Sequence, residues 1–158
     1  MQLHSQPRSE FHQALSDDHA RLERLFESLL GSVKMSDPER VRVAWERLDR
    51  ELRAHLRIEE ERILPLFEVE DTVEASQIRA EHHQIRNQLD QIGVDLDLHA
   101  LDRGRAESFI HLLRDHAARE ERTLYPWADS SMPKRGRISV IERLRNVDGH
   151  SGTFRGVP

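Results

Sequence analysis

Two stretches 61 residues apart repeat one pattern: His55-Leu56-Arg57-Ile58-Glu59-Glu60-Glu61-Arg62-Ile63-Leu64-Pro65-Leu66 and His116-Ala117-Ala118-Arg119-Glu120-Glu121-Arg122-Thr123-Leu124-Tyr125-Pro126-Trp127. In each, a His precedes a Glu by four residues, a second Glu follows directly, and a Pro comes near the end. Positions i and i+4 lie one above the other on a helix, so the imidazole and carboxylate converge on one point beside it. Apolar residues lead into each run at heptad-like steps: Trp45, Leu48 and Leu52 in one, Ala106, Phe109 and Leu113 in the other. This puts both His and both Glu on stripes that face a core. Buried imidazoles and carboxylates, twice over, require compensating partners.

The same periodicity organises the rest of the chain. Phe11, Leu15, Leu22, Phe26 and Leu29 form a first apolar stripe, with His19 at a seam position and Gly31 as the expected stop. Ser36-Asp37-Pro38-Glu39 reads as a helix start, with a capping box from Ser36 to Glu39 and Pro38 in the first turn. A second helix is expected to run from there to about Pro65. Ile78, His82, Ile85, Leu89 and Ile92 form a third stripe that Gly93 would end, and a connection reaches to about Arg105 before a fourth helix to about Trp127. The repeat extends to these helices, because Leu15, Asp18, His19 and Leu22 correspond to Ile78, Glu81, His82 and Ile85.

Four amphipathic helices without strand-like alternation predict an all-α, up-down four-helix bundle. The bundle is expected over residues 1–129. Residues 130–158 read as a short C-terminal helical extension, weakly helical over Arg137 to Asn146, with a flexible Gly-rich end. In this topology His19, His55, Glu59, His82, His116 and Glu120 meet in the interior near mid-bundle.

Composition narrows the chemistry. The chain has no Cys, so a metal here would be held by His and carboxylate, not thiolate. A net charge of -5 gives no general attraction to nucleic acid or anionic membrane. No apolar run is long enough to span a membrane and Met1 to Ser9 has no signal-peptide core, so the expected location is cytoplasmic.

The spacing His-x-x-x-Glu occurs three times, the third being His19 with Glu23, so the bare motif is not specific. The full order His19, His55-x-x-x-Glu59, His82, His116-x-x-x-Glu120 resembles the hemerythrin-like, or HHE cation-binding, family over roughly residues 10 to 129. That resemblance implies a four-helix bundle with a non-haem di-iron centre. His19 and His55 would hold one iron, His82 and His116 the other, and Glu59 and Glu120 would bridge them. Oxygen-carrying members have a His-x-x-x-His on the third helix and end in His-x-x-x-x-Asp. Here Arg86 follows His82 by four and Glu120 follows His116 by four. The expected centre is therefore more symmetric, with an accessible position on both metals. It is closer to the bacterial branch linked to nitric oxide, peroxide and oxidative stress. The metal domain of iron-centre repair proteins is also similar, but their Cys-bearing segment is absent.

Three functions follow as expectations. The first is a di-iron module binding O2, NO or peroxide for sensing, stress protection or iron handling. The second is a di-iron enzyme consuming peroxide or NO, and the third a structural site for zinc or another cation. A mixed His and Glu set suits iron or manganese, with zinc also possible. Without metal, one of the two facing carboxylates is expected to take up a proton. Among other residues, His83 and His111 read as surface groups, and His12 as solvent-exposed or at a pocket mouth. Glu60 and Glu121 read as solvated, although Glu121 sits where the oxygen carriers place their Asp. Tyr125 and Trp127 read as end-of-bundle packing rather than redox relays, and Lys134, Arg135 and Arg137 as a solvated basic turn. Glu23 and Arg86, each one turn after a seam His, are expected to pair inward beside the centre.

Overall fold

The computed structural model describes residues 9–149 of the chain. Among these, all regular structure is helical: α1 (Glu10–Lys34), α2 (Pro38–Arg62), α3 (Leu64–Glu70), α4 (Thr72–Asp97), α5 (Arg103–Arg122), α6 (Leu124–Ser131) and α7 (Lys134–Gly149). The long helices α1, α2, α4 and α5 form the bundle. α1 packs on α2 and α5, and α4 packs on the same two.

Side-chain caps start the long helices. Ser9, Asp37, Asp71 and Asp102 each accept a hydrogen bond from a backbone N–H three residues on, satisfying a donor the helix leaves open. Ser36 is therefore not the cap of α2: it takes a left-handed turn conformation (φ 53°), and Asp37 receives Arg40 N at 3.1 Å. Pro38 keeps its expected place in the first turn.

Gly31 and Gly93 do not end their helices. Neither has a positive φ, and both stripes continue past them, to the partly buried Val33 and the buried Leu96. The real interruptions come at Ile63 and Thr123, two and three residues before Pro65 and Pro126. A Pro lacks the N–H that would continue the ladder and crowds the preceding turn, so the helix breaks and restarts as α3 or α6. Gly31 has nothing within 4 Å of an added Cβ. Gly31→Ala is accordingly expected to stabilise the protein by about 0.5–1 kcal/mol, read as a raised urea midpoint with unchanged slope.

The tail helix is longer than the 137–146 expected. It packs against α1 and α2, burying Val140, Ile141 and Leu144. The Gly-rich end lies outside the described residues.

The core is two apolar clusters. One gathers Leu22, Phe26, Trp45, Leu52, Ile85, Phe109 and their neighbours; the other gathers Phe11, Leu15, Ile63, Phe67, Ile78, Leu124 and the inner face of α7. Each candidate His lies between the two along the chain, as His19 does between Leu15 and Leu22 and His116 between Leu113 and Leu124. A polar layer thus crosses the bundle at the level where the apolar core is interrupted.

Candidate metal centre

All six expected side chains reach that layer. His55, Glu59, His82, His116 and Glu120 are buried, and only 9% of the His19 side chain is exposed. Their inward atoms form two four-residue groups whose members lie within 4.8 Å of one another. One is His19, His55, Glu59 and Glu120; the other is Glu59, His82, His116 and Glu120. The two glutamates belong to both.

The glutamates are shared in different ways. Glu120 divides its oxygens: Oε2 lies 3.3 Å from His19 Nε2 and 3.9 Å from His55 Nε2, while Oε1 lies 2.9 Å from His116 Nε2 and 3.3 Å from His82 Nε2. Glu59 turns one oxygen, Oε2, to both halves, at 3.5 Å from His55 Nε2 and 3.4 Å from His82 Nε2. Its other oxygen accepts the Tyr125 hydroxyl at 2.7 Å.

Each imidazole is oriented from behind by a carboxylate on a neighbouring helix. His19 Nδ1 meets Glu121 at 3.2 Å, His55 Nδ1 meets Asp18 at 2.7 Å, His82 Nδ1 meets Glu60 at 3.0 Å and His116 Nδ1 meets Glu81 at 2.8 Å. A carboxylate at Nδ1 holds the proton there and leaves the Nε2 lone pair pointing inward, the arrangement that metal-ligating His residues use. These supports are themselves anchored. Arg86 grips Glu60 through two bonds of 2.6 and 2.8 Å, Arg119 Nε reaches Glu81 at 2.8 Å, and Arg21 binds Asp18 and the buried Glu51.

Several expectations need correction here. Glu60 and Glu121 are not simply solvated, since each orients a candidate ligand. The inward Glu23–Arg86 pair is replaced by two others: Arg86 turns to Glu60, and Glu23 pairs with Arg114 across α1 and α5 at 3.0 and 3.2 Å. Tyr125 is more than packing. It is fully buried, with its hydroxyl 2.7 Å from both His19 Nε2 and Glu59 Oε1. The equivalent residue in the first repeat is Leu64, so that repeat has no counterpart of this hydroxyl. Trp127 does pack at the bundle end, its ring 5.0 Å from that of Phe67. His83 and His111 are exposed, and His12 is half-buried in the first turn of α1, outside the two groups.

The metal-free layer gathers positive charge around Glu120. Burial works to raise Glu120, but the charge and hydrogen bond of His116, with further bonds from His19 and His55, hold its carboxyl well below the usual range. The protons go to the imidazoles. Burial works against each, yet hydrogen bonds to Glu120 and Glu121 raise His19 to about 9, and bonds to Glu120, Glu59 and Glu60 raise His82 to about 10. His55 and His116 are raised as well, the largest upward contributions coming from the charges of Glu59 and Glu120 respectively. Glu120 stays ionised here because imidazoles surround it.

This donor set fits a pair of metal ions. The Glu59 Oε2, Glu120 Oε2 and His116 Nε2 atoms are buried among close charged neighbours without a well-directed hydrogen bond, a costly condition that a coordinated cation relieves. Neutral imidazole and carboxylate together suit iron, manganese or zinc.

No helix among the described residues is long and apolar enough to cross a membrane. No curated protein and no solved structure matches the chain. A family model described as the hemerythrin HHE cation binding domain matches residues 10–128, from the start of α1 into α6. With that match spanning most of its length and a cluster of His and Glu at its centre, the chain belongs to the hemerythrin family of HHE cation-binding domains.

Proposed function

We propose that the protein holds two iron ions, one with His19 and His55, the other with His82 and His116, and that Glu59 and Glu120 bridge them. The observation that carries this reading is the division of Glu120, one oxygen toward each His pair. Iron held there would supply redox chemistry toward a small ligand such as O2, NO or peroxide. Its role is sensing, stress protection or iron handling. The chain's own residues fix the geometry: four carboxylates lock the imidazole orientations, and the two apolar clusters keep bulk water away on both sides.

Tyr125 favours a second reading, turnover of peroxide or nitric oxide. Burial, then the charges of Glu59 and Glu120, push its hydroxyl well above the ordinary range, so it stays protonated at neutral pH and can donate a hydrogen bond or proton. Tyr125→Phe is expected to leave metal content unchanged and to slow ligand-dependent chemistry by about ten-fold or more. A variant identical to the parent in ligand affinity and rate would restrict Tyr125 to packing.

The reading as a whole is tested by optical spectra of protein purified from iron-replete cells. An absorption band that changes on reduction, and again on adding oxygen or nitric oxide, is expected. A featureless spectrum with bound zinc would instead favour a structural cation site.

A further inference from the structure

Between α1 and α5 a groove of about 300 Å³ runs down to His19, His55 and His116. Its inner walls are the buried Leu22, Phe26, Leu52 and Leu113. Toward solvent it is bordered by short side chains, Ser16 and Ala20 on α1 and Ala117 and Ala118 on α5. The Glu23–Arg114 ion pair spans the seam at the rim.

The internal repeat supplies a comparison. At the corresponding positions of α4 and α2, Ser16 and Ala20 become Arg79 and His83, and Ala117 and Ala118 become Leu56 and Arg57, the last turned toward α7. Arg86 crosses the α2–α4 seam to grip Glu60 directly behind His82. Large side chains thus occupy one seam, whereas the other is lined by small ones above apolar walls.

Two further observations mark the open seam as a place for a ligand. Ser16 Oγ lines the groove and is buried without a hydrogen-bond partner. The groove also ends at His19, which contacts the only Tyr of the chain, so the opening and the proton donor fall on the same half of the centre. The volume is at the lower end for small-molecule sites. The walls are apolar and Arg114 at the rim is neutralised by Glu23, which favours an uncharged ligand over an anion.

We propose that the α1–α5 groove is the access path and first binding site for a small uncharged ligand, delivering it to the His19–His55 half of the centre. The nature of that ligand rests on the di-iron reading; the path itself does not. Peroxide in its neutral form, nitric oxide and dioxygen all meet the size and polarity requirements.

Two measurements test the path. Crystals under xenon pressure are expected to show xenon beside Leu22, Phe26 and Leu52, with or without metal, and to lose it in Ala20→Phe/Ala117→Leu, whose changes sit at the exposed border. In stopped-flow mixing of nitric oxide with the reduced iron-loaded protein, the filled variant should bind about ten-fold or more slowly, with unchanged iron content and final spectrum. Arg57→Phe, which adds bulk at an exposed position of α2 beside α7 and away from the groove, should stay within about two-fold of the parent. Absence of xenon from the groove, an unaltered rate in the filled variant, or equal slowing by Arg57→Phe would each overturn the proposal. A protein that takes up no iron would remove the di-iron reading, and xenon would still decide the path.

Discussion

Glu120→Gln is expected to empty both metal positions at once, whereas His19→Ala should weaken mainly one. Glu120 faces His19 and His55 with one oxygen and His82 and His116 with the other, so its loss takes a charged donor from both groups at once. An amide of the same shape offers one neutral oxygen in place of two charged ones. The expected loss is on the order of a thousand-fold in affinity, about 4 kcal/mol. Folding should survive, because removing the central negative charge also removes the largest contribution that holds His19 and His82 protonated, and they can become neutral without leaving the core. The measurement is metal per chain after dialysis against a weak chelator, alongside circular dichroism. Two ions retained by Glu120→Gln would sink the shared-carboxylate reading.

Metal removal should destabilise the protein far more at pH 9 than at pH 6. In the metal-free state the folded His19 and His82 sit at about 9 and about 10, against an ordinary His value of 6.5. Groups raised on folding contribute stability that is fully present below about 6.5 and is lost as pH rises through 9 and 10. The loss leaves the ionised Glu120 without its cationic neighbours. Metal works in the opposite sense. It takes the place of those protons, so its affinity falls in acid and grows toward alkaline pH. The gap between loaded and stripped protein should therefore widen from a few degrees at pH 6 to roughly 5–10 °C at pH 9, as expected for metal in hundred-fold excess over its Kd. Melting curves with and without chelator across this range are the check. A gap that narrows with pH would contradict the charge balance described above.

Much of the fold was legible because helical periodicity and an internal duplication say the same thing. The stripes through Leu15, Leu52, Ile85 and Leu113 identify the four long helices, and the matched flanks put His19, His55, Glu59, His82, His116 and Glu120 at one level, where they are found together. Local signals were less decisive. A Gly stops a helix only if it adopts a left-handed conformation, and at Gly31 and Gly93 the apolar face continues, so the helix does too. Ser36 and Asp37 are both competent caps, and the turn conformation chose between them.

The carboxylates behind the imidazoles were visible as residues but not as roles. Asp18 and Glu81 precede His19 and His82, yet they serve His55 and His116 on the next helix. The recurrence of Glu60 and Glu121 after the candidate ligands was the available signal, since a solvated position has no reason to repeat. Pairings across seams depend on the rotation of one helix against another, which spacing does not give. That is why Arg86 was matched to Glu23 rather than Glu60. Tyr125 was missed for a related reason: the helix break at Thr123 shifts the following residues off the face that a continuous helix would present.

The central claim is that one cluster of six side chains holds two ions through two shared glutamates. Anomalous diffraction at the iron edge from the iron-loaded protein tests it most directly. The account predicts two peaks, one among His19, His55, Glu59 and Glu120, the other among Glu59, His82, His116 and Glu120. A single peak, or none between Glu59 and Glu120, would contradict it.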